Sequence, residues 1–420
     1  MNKFNNWLIN EPKNLSASCF FWNMIGSMSL ALGTMVLTIL VNRIVGDYVG
    51  GDFAMALATG QLMATIGYFE TRTYQVTDSK KEFSFSDYYT IKIITNIAMI
   101  VLGIGYILIK GYDLQKSILV VLLCIYKMMD TFADVFEGQF HQSERLDISG
   151  KSLTIRTVVS ILGLVVALII TKNIYISCFV AILLSVLIIY FFNIKIMRGY
   201  ENFGFNFDLN KIRNITYSCF PLFLSSFMST YILNSSRYAI EATMTSDFHS
   251  KYTAIFLPVS TINLLVGFIF KPMLTGMAKN WNEKKYGEFT RSIFLVLICV
   301  FVTTIIAMIG AYILGIPVLS LLYKTDLSGF KMSLIILLIG GGLNAANAIL
   351  YNALSVMRNQ KIIMMAYVVT FLISLYIPNL LTSRFGIIGA ACSFIVVMLI
   401  LTIQLLICTF LSIIRTKNNF

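Results

Sequence analysis

Four ionisable residues share one stripe of an otherwise apolar stretch of the chain: Lys127, Asp130, Asp134 and Glu137. Their spacing of three, four and three residues places them on one face of an α-helix. Charged groups are costly in hydrocarbon, so this face must contact protein or water rather than lipid. The stripe predicts one of two arrangements. It lines a hydrated cavity for a charged substrate or coupling ions, or it forms an internal ion-pair ladder, from Lys127 to Asp130 and Asp134, that holds helices together.

Two arginines indicate a possible anion site. Arg43 ends the first apolar stretch and Arg237 ends the seventh, at roughly equivalent places in the two halves of the chain. A guanidinium fork suits phosphate oxygens, whereas the ammonium of Lys127 acts as a point charge. We therefore predict that these three cations bind an anion, with Glu241, one turn beyond Arg237, as a pairing or coupling acid. Ordinary snorkelling of both arginines to the membrane interface is the alternative.

The elements that must position these groups are helices that cross a membrane. The 420 residues are 57% hydrophobic and only 12% charged, with a mean hydropathy of +0.80, against roughly 25% charged in a soluble domain. A helix needs about 20 apolar residues to cross the hydrocarbon core. Twelve stretches meet this requirement and predict spans near 15–42, 48–69, 92–111, 117–138, 153–171, 173–192, 214–234, 250–270, 290–314, 329–355, 361–381 and 386–412.

The distribution of basic residues and an internal echo predict how these spans are organised. Most Lys and Arg residues fall on the segments that share a side with both termini, which places the termini in the cytoplasm. Ser18–Phe20 recurs as Ser218–Phe220, which favours a duplication. We therefore predict an all-α integral membrane protein with two six-helix bundles around a central cavity, 1–200 and 201–420. The run Gly340–Gly342 in the tenth span is either a hinge or a site of tight helix packing.

The motifs of common enzymes are missing from the sequence. It contains no Walker A, Rossmann, H-E-x-x-H or G-x-S-x-G pattern. The seven cysteines lie in apolar stretches without C-x-x-C spacing, which favours buried hydrophobes over a metal site. We predict no enzyme, no catalytic residues, no metal and no cofactor, with transport driven by membrane potential, H⁺ or Na⁺. The net charge of +12 fits anionic lipid headgroups rather than nucleic acid.

Several loop segments together resemble a known family. They are ETRTYQVTD (70–78), FSFSDYY (83–89), DTFADVFEGQFHQSERLDISGKSLTIR (130–156), NSSRYAIEA (234–242), GFIFKPML (267–274) and GIIGAACS (386–393). With them the chain resembles the polysaccharide-biosynthesis flippases of the multidrug/oligosaccharidyl-lipid/polysaccharide exporter superfamily. The likeness is strongest to the Gram-positive branch that exports teichoic-acid or capsule units. It implies two bundles in a V that alternate between inward-open and outward-open states.

The resemblance also implies a function. Such a protein flips an undecaprenyl-diphosphate-linked oligosaccharide, or a teichoic-acid or capsule repeat unit, across the bacterial cytoplasmic membrane. The glycosyltransferases or polymerase of the same pathway would be its partners. We count Arg43, Lys127, Arg156 and Arg237 as candidate substrate-binding residues, and Asp130, Asp134, Glu137 and Glu241 as coupling or structural acids.

Two other functions stay open at this stage. Drug exporters of the same superfamily often carry coupling acids in the first bundle, so a cation-coupled multidrug antiporter is one alternative. The first span carries no acid, however, and the candidate acids lie on the fourth. A membrane polysaccharide polymerase or ligase is the other alternative, and its long outer loops have no counterpart here.

Overall fold

The described residues fold into helices joined by short connections. The computed structural model describes residues 11–78, 82–200, 202–357 and 359–418, and no strand occurs among them. The all-α prediction is confirmed. Seven described helices are long and apolar enough to cross a membrane: Leu15–Val45, Phe85–Lys110, Leu146–Thr171, Ile174–Tyr200, Tyr286–Tyr323, Ser328–Val356 and Gln360–Thr416. The count of twelve spans and their arrangement in two bundles stay predictions.

In the described residues of the first half of the chain, we label the main helices α1 to α7. They are α1 (Leu15–Val45), α2 (Asp47–Tyr68), the short α3 (Thr71–Thr77), α4 (Phe85–Lys110), α5 (Leu114–Gln142), α6 (Leu146–Thr171) and α7 (Ile174–Ile188). A π-helical turn, Ile189–Ile194, continues α7 into a last helical segment, Lys195–Tyr200.

The second half contains α8 to α12. They are α8 (Leu209–Thr243), α9 (Ser246–Asn282), α10 (Tyr286–Gly310), α11 (Lys331–Val356) and α12 (Gln360–Asn418). A π-helical turn, Ala311–Gly315, continues α10 into the segment Ile316–Tyr323. Helix α12 is interrupted at Gly386, whose backbone φ is 60°. Glycine adopts this left-handed conformation at little energetic cost because it has no Cβ.

Helix α4 begins earlier than hydropathy alone predicts. The span near 92–111 is the apolar part of α4, which starts at Phe85 with a capping box. There the Ser84 side chain accepts from the Asp87 backbone N–H, and the Asp87 carboxylate accepts from the Ser84 backbone N–H. As a result, Lys92 lies two turns inside the helix rather than at its end.

The chain divides into two compact units, one up to Thr230 and one from Tyr231 onward. The predicted bundles 1–200 and 201–420 stay a prediction. The division falls within α8, because the first half of α8 packs on the first unit. Ile215 and Cys219 are buried in the same hydrophobic cluster as Phe85 and Phe136.

Small residues bring α2 close to α5, the helix that carries the charged stripe. A Cβ added at Gly60 would lie 3.1 Å from the Leu123 carbonyl oxygen, and one at Gly67 would lie 2.8 Å from the Thr131 hydroxyl. Such close backbone approach is how helices pack in a membrane, where lipid is as apolar as leucine. It leaves the stripe of α5 buried against its neighbours.

Candidate functional site

Seven side chains of the first unit form a string in which positive and negative charges alternate. In order of contact they are Lys127, Asp130, Arg156, Glu137, Arg72, Asp134 and Lys92. We call this set the charge string. Its members come from α3, α4, α5 and α6, so it joins four elements that are distant in sequence.

The first part of the charge string lies between α5 and α6. Lys127 Nζ is 3.1 Å from Asp130 Oδ2, and Arg156 Nε donates to the other oxygen of Asp130 at 3.2 Å. Arg156 also donates to Glu137 Oε1 at 2.8 Å. Arg156 therefore spans two carboxylates that lie two turns apart on one face of α5. Both of its contacts are charge-assisted hydrogen bonds, the stronger class.

The second part of the charge string reaches α3 and α4. Arg72 NH1 lies 3.2 Å from Glu137 Oε2 and 3.3 Å from Asp134 Oδ1. Lys92 Nζ lies 3.3 Å from Asp134 Oδ2 and also donates to the backbone carbonyls of Gly67, at 3.3 Å, and Tyr68, at 3.0 Å. The lysine thus ties α4 to the end of α2 as well as to α5.

Burial makes the charge string unusual. The side chains of Lys92, Glu137 and Arg156 are at most 3% exposed, and among the seven only Arg72 is substantially exposed, at 27%. A buried ion is tolerated only when its partners compensate for lost hydration. Here each carboxylate lies between two cations, and four cations against three acids leave one positive charge in excess.

The structure shows the α5 stripe in ion pairs, and its role toward a substrate or coupling ion stays a prediction. Lys127, Asp130, Asp134 and Glu137 share one buried face, as their spacing predicts. The ladder is real, but it is not the predicted one, because Asp134 pairs with Arg72 and Lys92 instead of Lys127. Lys127 and Asp130 also line a narrow cleft inside the first unit, together with residues of α1, α2 and α6, and it has room for about one water molecule.

The remaining candidates lie elsewhere. Arg43 is exposed in the last turn of α1. Arg237 is half-buried in the second unit, where its guanidinium lies 4.4 Å from the centre of the Phe256 ring and donates to Asn234 Oδ1 at 3.2 Å. The predicted pairing of Arg237 with Glu241, one turn further along α8, stays a prediction.

Sequence analysis missed Arg72 and Lys92 as members of the site. Both belong to the basic residues whose distribution predicts the orientation of the chain. The capping box at the start of α4 could have identified Lys92, because it places this lysine two turns inside the helix. Arg72 gives no such signal, because only the fold brings the short helix α3 against α5.

The family model described as "Polysaccharide biosynthesis protein" matches residues 17–278. The chain belongs to this family. The matched region holds the entire charge string, and it also includes Arg43, Arg237 and Glu241. No curated protein sequence matches this chain.

Solved structures show which fold the family member adopts. An inward-facing multidrug resistance MATE family transporter of the MOP superfamily is similar with a TM-score of 0.72 at 11% identity, over 94% of this chain and 99% of that one. The lipid II flippase MurJ, in an inward closed conformation, gives 0.70 at 13%, over 96% and 90%. A MOP superfamily transporter from Pyrococcus furiosus gives 0.57 at 12%, over 98% and 97%. The chain therefore shares its fold with these transporters, and its seven described apolar helices indicate a multi-pass membrane protein.

Proposed function

We propose that this protein is a flippase for a lipid-linked glycan. Its substrate would be an undecaprenyl-diphosphate-linked oligosaccharide, or a teichoic-acid or capsule repeat unit. It would move this lipid across the bacterial cytoplasmic membrane by alternating access, with both termini in the cytoplasm. The observation that carries the proposal is the family match, which covers the buried charge string, on a fold shared with transporters.

A charged headgroup needs such a device because hydrocarbon excludes it. Each charge exposed to the bilayer centre costs several kcal/mol, about 3 on insertion scales and more for an isolated helix. Basic side chains that meet the diphosphate lower this cost. Since the cell interior is negative, outward movement of an anion releases about 2.3 kcal/mol per charge per 100 mV. Membrane potential could therefore drive export, and H⁺ or Na⁺ coupling is not required by the energetics.

Lys127 is the member of the charge string best placed to exchange partners. It stands at one end of the string, beside the narrow cleft. If its ammonium turned to a phosphate, Asp130 would keep the hydrogen bond from Arg156. Arg156, in contrast, is held by two carboxylates and is 2% exposed, so it positions the acids rather than binding substrate. The charge string thus supports Lys127 over Arg156 as a substrate ligand.

The same geometry disfavours a cation-coupled drug antiporter. A cationic drug or a coupling ion needs a carboxylate that is free to receive it. Asp130, Asp134 and Glu137 are each already paired with two basic side chains. A cation in the charge string would have to displace one of them and would leave a buried charge without compensation.

The test is translocation by the purified full-length protein in liposomes, with a fluorescent lipid-linked oligosaccharide whose outer-leaflet fraction is quenched. We expect Lys127→Ala, Arg43→Ala and Arg237→Ala each to slow flipping by about tenfold or more, since a hydrogen bond to a charged group contributes about 1.5–3 kcal/mol. Arg291→Ala, at an exposed arginine of α10, is the matched control and should flip normally.

Two outcomes would contradict the proposal. Normal flipping by all three variants would remove the assigned cations from the site. A wild-type protein that flips no lipid-linked glycan, but exchanges a cationic drug for H⁺ or Na⁺, would show an antiporter instead. Thermal unfolding of each variant in detergent must accompany the assay, so that lost flipping is not mistaken for lost folding.

A further inference from the structure

The end of helix α2 carries a tyrosine hydroxyl that stands beside the charge string. Tyr68 is the last residue of α2 and is half-buried. Its backbone carbonyl accepts from Lys92 Nζ at 3.0 Å, and the same ammonium lies 5.9 Å from the centre of its ring. Its hydroxyl makes no hydrogen bond within the described part of the chain.

Tight packing places this hydroxyl next to the α5 stripe. A Cβ at Gly67, the residue before Tyr68, would lie 2.8 Å from the hydroxyl of Thr131, which follows Asp130 in the chain. The Tyr68 hydroxyl is within electrostatic range of the three acids of the stripe and of Arg156, and its interaction with Asp130 is the strongest of these. The hydroxyl therefore lies in the field of the charge string without being bonded to it.

The three acids of the stripe differ in what they lose when Lys127 turns to a phosphate. Asp134 and Glu137 each keep both of their basic partners. Asp130 does not, because among the described residues its Oδ2 receives only Lys127, while its Oδ1 receives Arg156. A buried carboxylate oxygen that loses its donor is strongly destabilising. The step therefore favours a replacement donor at Asp130.

Among the nearby hydroxyls, that of Tyr68 is best placed for this role. The Tyr126 hydroxyl already shares a hydrogen bond with Ser160, at 3.1 Å. The Thr157 hydroxyl lines the narrow cleft with Asp130 and is enclosed without a partner in the described chain, which makes Thr157 the rival donor. Tyr68 differs because it is half-buried, so water can satisfy its hydroxyl until a carboxylate oxygen needs a donor.

We propose that Tyr68 is a positioning residue that replaces Lys127 at Asp130 when substrate binds. As the Lys127 ammonium turns to a phosphate oxygen, the Tyr68 hydroxyl donates a hydrogen bond to Asp130 Oδ2. No proton is transferred, Arg156 stays in place, and the carboxylate keeps two donors throughout. The inference rests on the proposed function, since it takes a phosphate as the ligand of Lys127, but the exchange of donors can be measured without transport.

The first test is a double-mutant cycle in thermal unfolding of the purified full-length protein. Tyr68→Phe removes only the hydroxyl and should change the transition temperature by less than about 1 °C, because that hydroxyl has no protein partner at rest. Lys127→Met leaves Asp130 Oδ2 without its donor permanently, so the Tyr68 hydroxyl should bond to it even without substrate. In that background, Tyr68→Phe should lower the transition temperature by several degrees, and this difference is the coupling.

The second test is transport of the fluorescent lipid-linked oligosaccharide in liposomes. Tyr68→Phe should raise the half-saturating mole fraction of substrate about tenfold, the size expected of one hydrogen bond to a charged group. A merely structural role would not move this value at an unchanged transition temperature. Transport by Tyr68→Phe also decides the matter if Lys127→Met is too unstable to purify.

Two other hydroxyl deletions are the controls. Tyr88→Phe removes a hydroxyl that donates to Asp78 at 3.1 Å, outside the charge string. It should lower the transition temperature equally in the wild-type and Lys127→Met backgrounds and leave the half-saturating mole fraction unchanged. Thr157→Val removes the hydroxyl of the rival donor and should show no coupling with Lys127→Met.

Three results would overturn the proposal. They are additive effects of Tyr68→Phe and Lys127→Met on unfolding, coupling of Lys127→Met with Thr157→Val in place of Tyr68→Phe, and an unchanged half-saturating mole fraction in Tyr68→Phe. A wild-type protein that flips no lipid-linked glycan would contradict the proposed function instead, while the unfolding cycle would still report on the donors at Asp130.

Discussion

The interiors of the two units are stabilised by different interactions. The first buries a string of seven charged side chains. The ion pairs described in the second unit lie near its surface: Lys251–Asp247, Lys279–Glu283 and Lys285–Glu283, with side chains 24–73% exposed. Its described interior also contains neutral hydrogen bonds, and the Arg237 guanidinium there donates to the neutral Asn234 rather than to a carboxylate of the described residues. Asn344 donates to Asn263 at 3.1 Å, Tyr252 donates to Ser236 at 2.8 Å, and Asn347 donates to the Met398 carbonyl at 3.2 Å.

The difference concerns how freely each interior can rearrange. A buried charge that loses its partner is strongly destabilising, so the charge string fixes the relative positions of α3, α4, α5 and α6. A neutral hydrogen bond contributes only about 1 kcal/mol net. We infer that small shifts between helices are easier in the second unit.

The largest effect is expected from Asp130→Asn. Without this carboxylate, Lys127 loses its ion-pair partner inside the first unit, and Arg156 keeps only Glu137. Removal of one partner from a buried pair costs about 3–5 kcal/mol. Thermal unfolding in detergent should show a large drop in the transition temperature relative to wild type.

A double variant separates the charge effect from lost packing. Lys127→Met in the Asp130→Asn background removes the uncompensated ammonium and should recover most of the lost stability. Asp130→Asn with a transition temperature close to wild type would show that the charge string does not hold the first unit together.

Gly342→Ala should cost about 1–3 kcal/mol in the second unit, the usual penalty of overpacking. A Cβ at Gly342 would collide with the Thr304 side chain, one at Gly340 with the Phe394 ring, and one at Gly341 would lie 3.1 Å from Val259. The three glycines therefore serve close helix packing. Gly310→Ala is the control, because that position is open. Equal unfolding temperatures for the two variants would contradict the packing role.

A matched pair of substitutions compares the units directly. Arg237→Gln removes one hydrogen bond to Asn234 and should lower stability by about 1 kcal/mol. Arg156→Gln removes bonds to two carboxylates at a 2% exposed site and should lower it several times more. In liposome assays, Arg237→Gln should impair flipping although its stability is nearly native. Equal unfolding temperatures for Arg237→Gln and Arg156→Gln would contradict the proposed difference between the two units.

The smallest effect is expected at the surface. The hydrogen bond from Lys285 lowers the pKa of Glu283. A carboxyl group whose pKa is lower in the folded chain stabilises the folded state at pH values above its unfolded-state pKa. This stabilisation is lost as the pH falls through the folded-state pKa. Because the pair is exposed, Glu283→Gln should leave the transition temperature at pH 7 within about 1 °C of wild type. The difference in transition temperature between variant and wild type should be no larger at pH 4. A large gap would mean that surface charges also stabilise the second unit.

Spacing along one helix could be predicted, whereas contacts between helices could not. The steps between Lys127, Asp130 and Asp134 fix a common face, because helical periodicity is local. Hydropathy found the apolar core of each long helix for the same reason. The partners of Asp134 come from α3 and α4, and a single sequence gives no measure of which helices meet. The sequence therefore predicts Arg156 as a substrate-binding residue and gives no indication of the two carboxylates that it contacts.

The π-helical turn that follows α7 determines the direction in which later side chains point. Each residue advances an α-helix by about 100°, so the extra residue of that turn rotates the residues after it around the helix axis. A chain shortened by one residue between Ile189 and Ile194 would keep nearly the same hydrophobic length. Lys195 and Arg198 would nevertheless swing about 100° around the axis. The direction in which these two basic side chains point is thus governed by residue count rather than by composition.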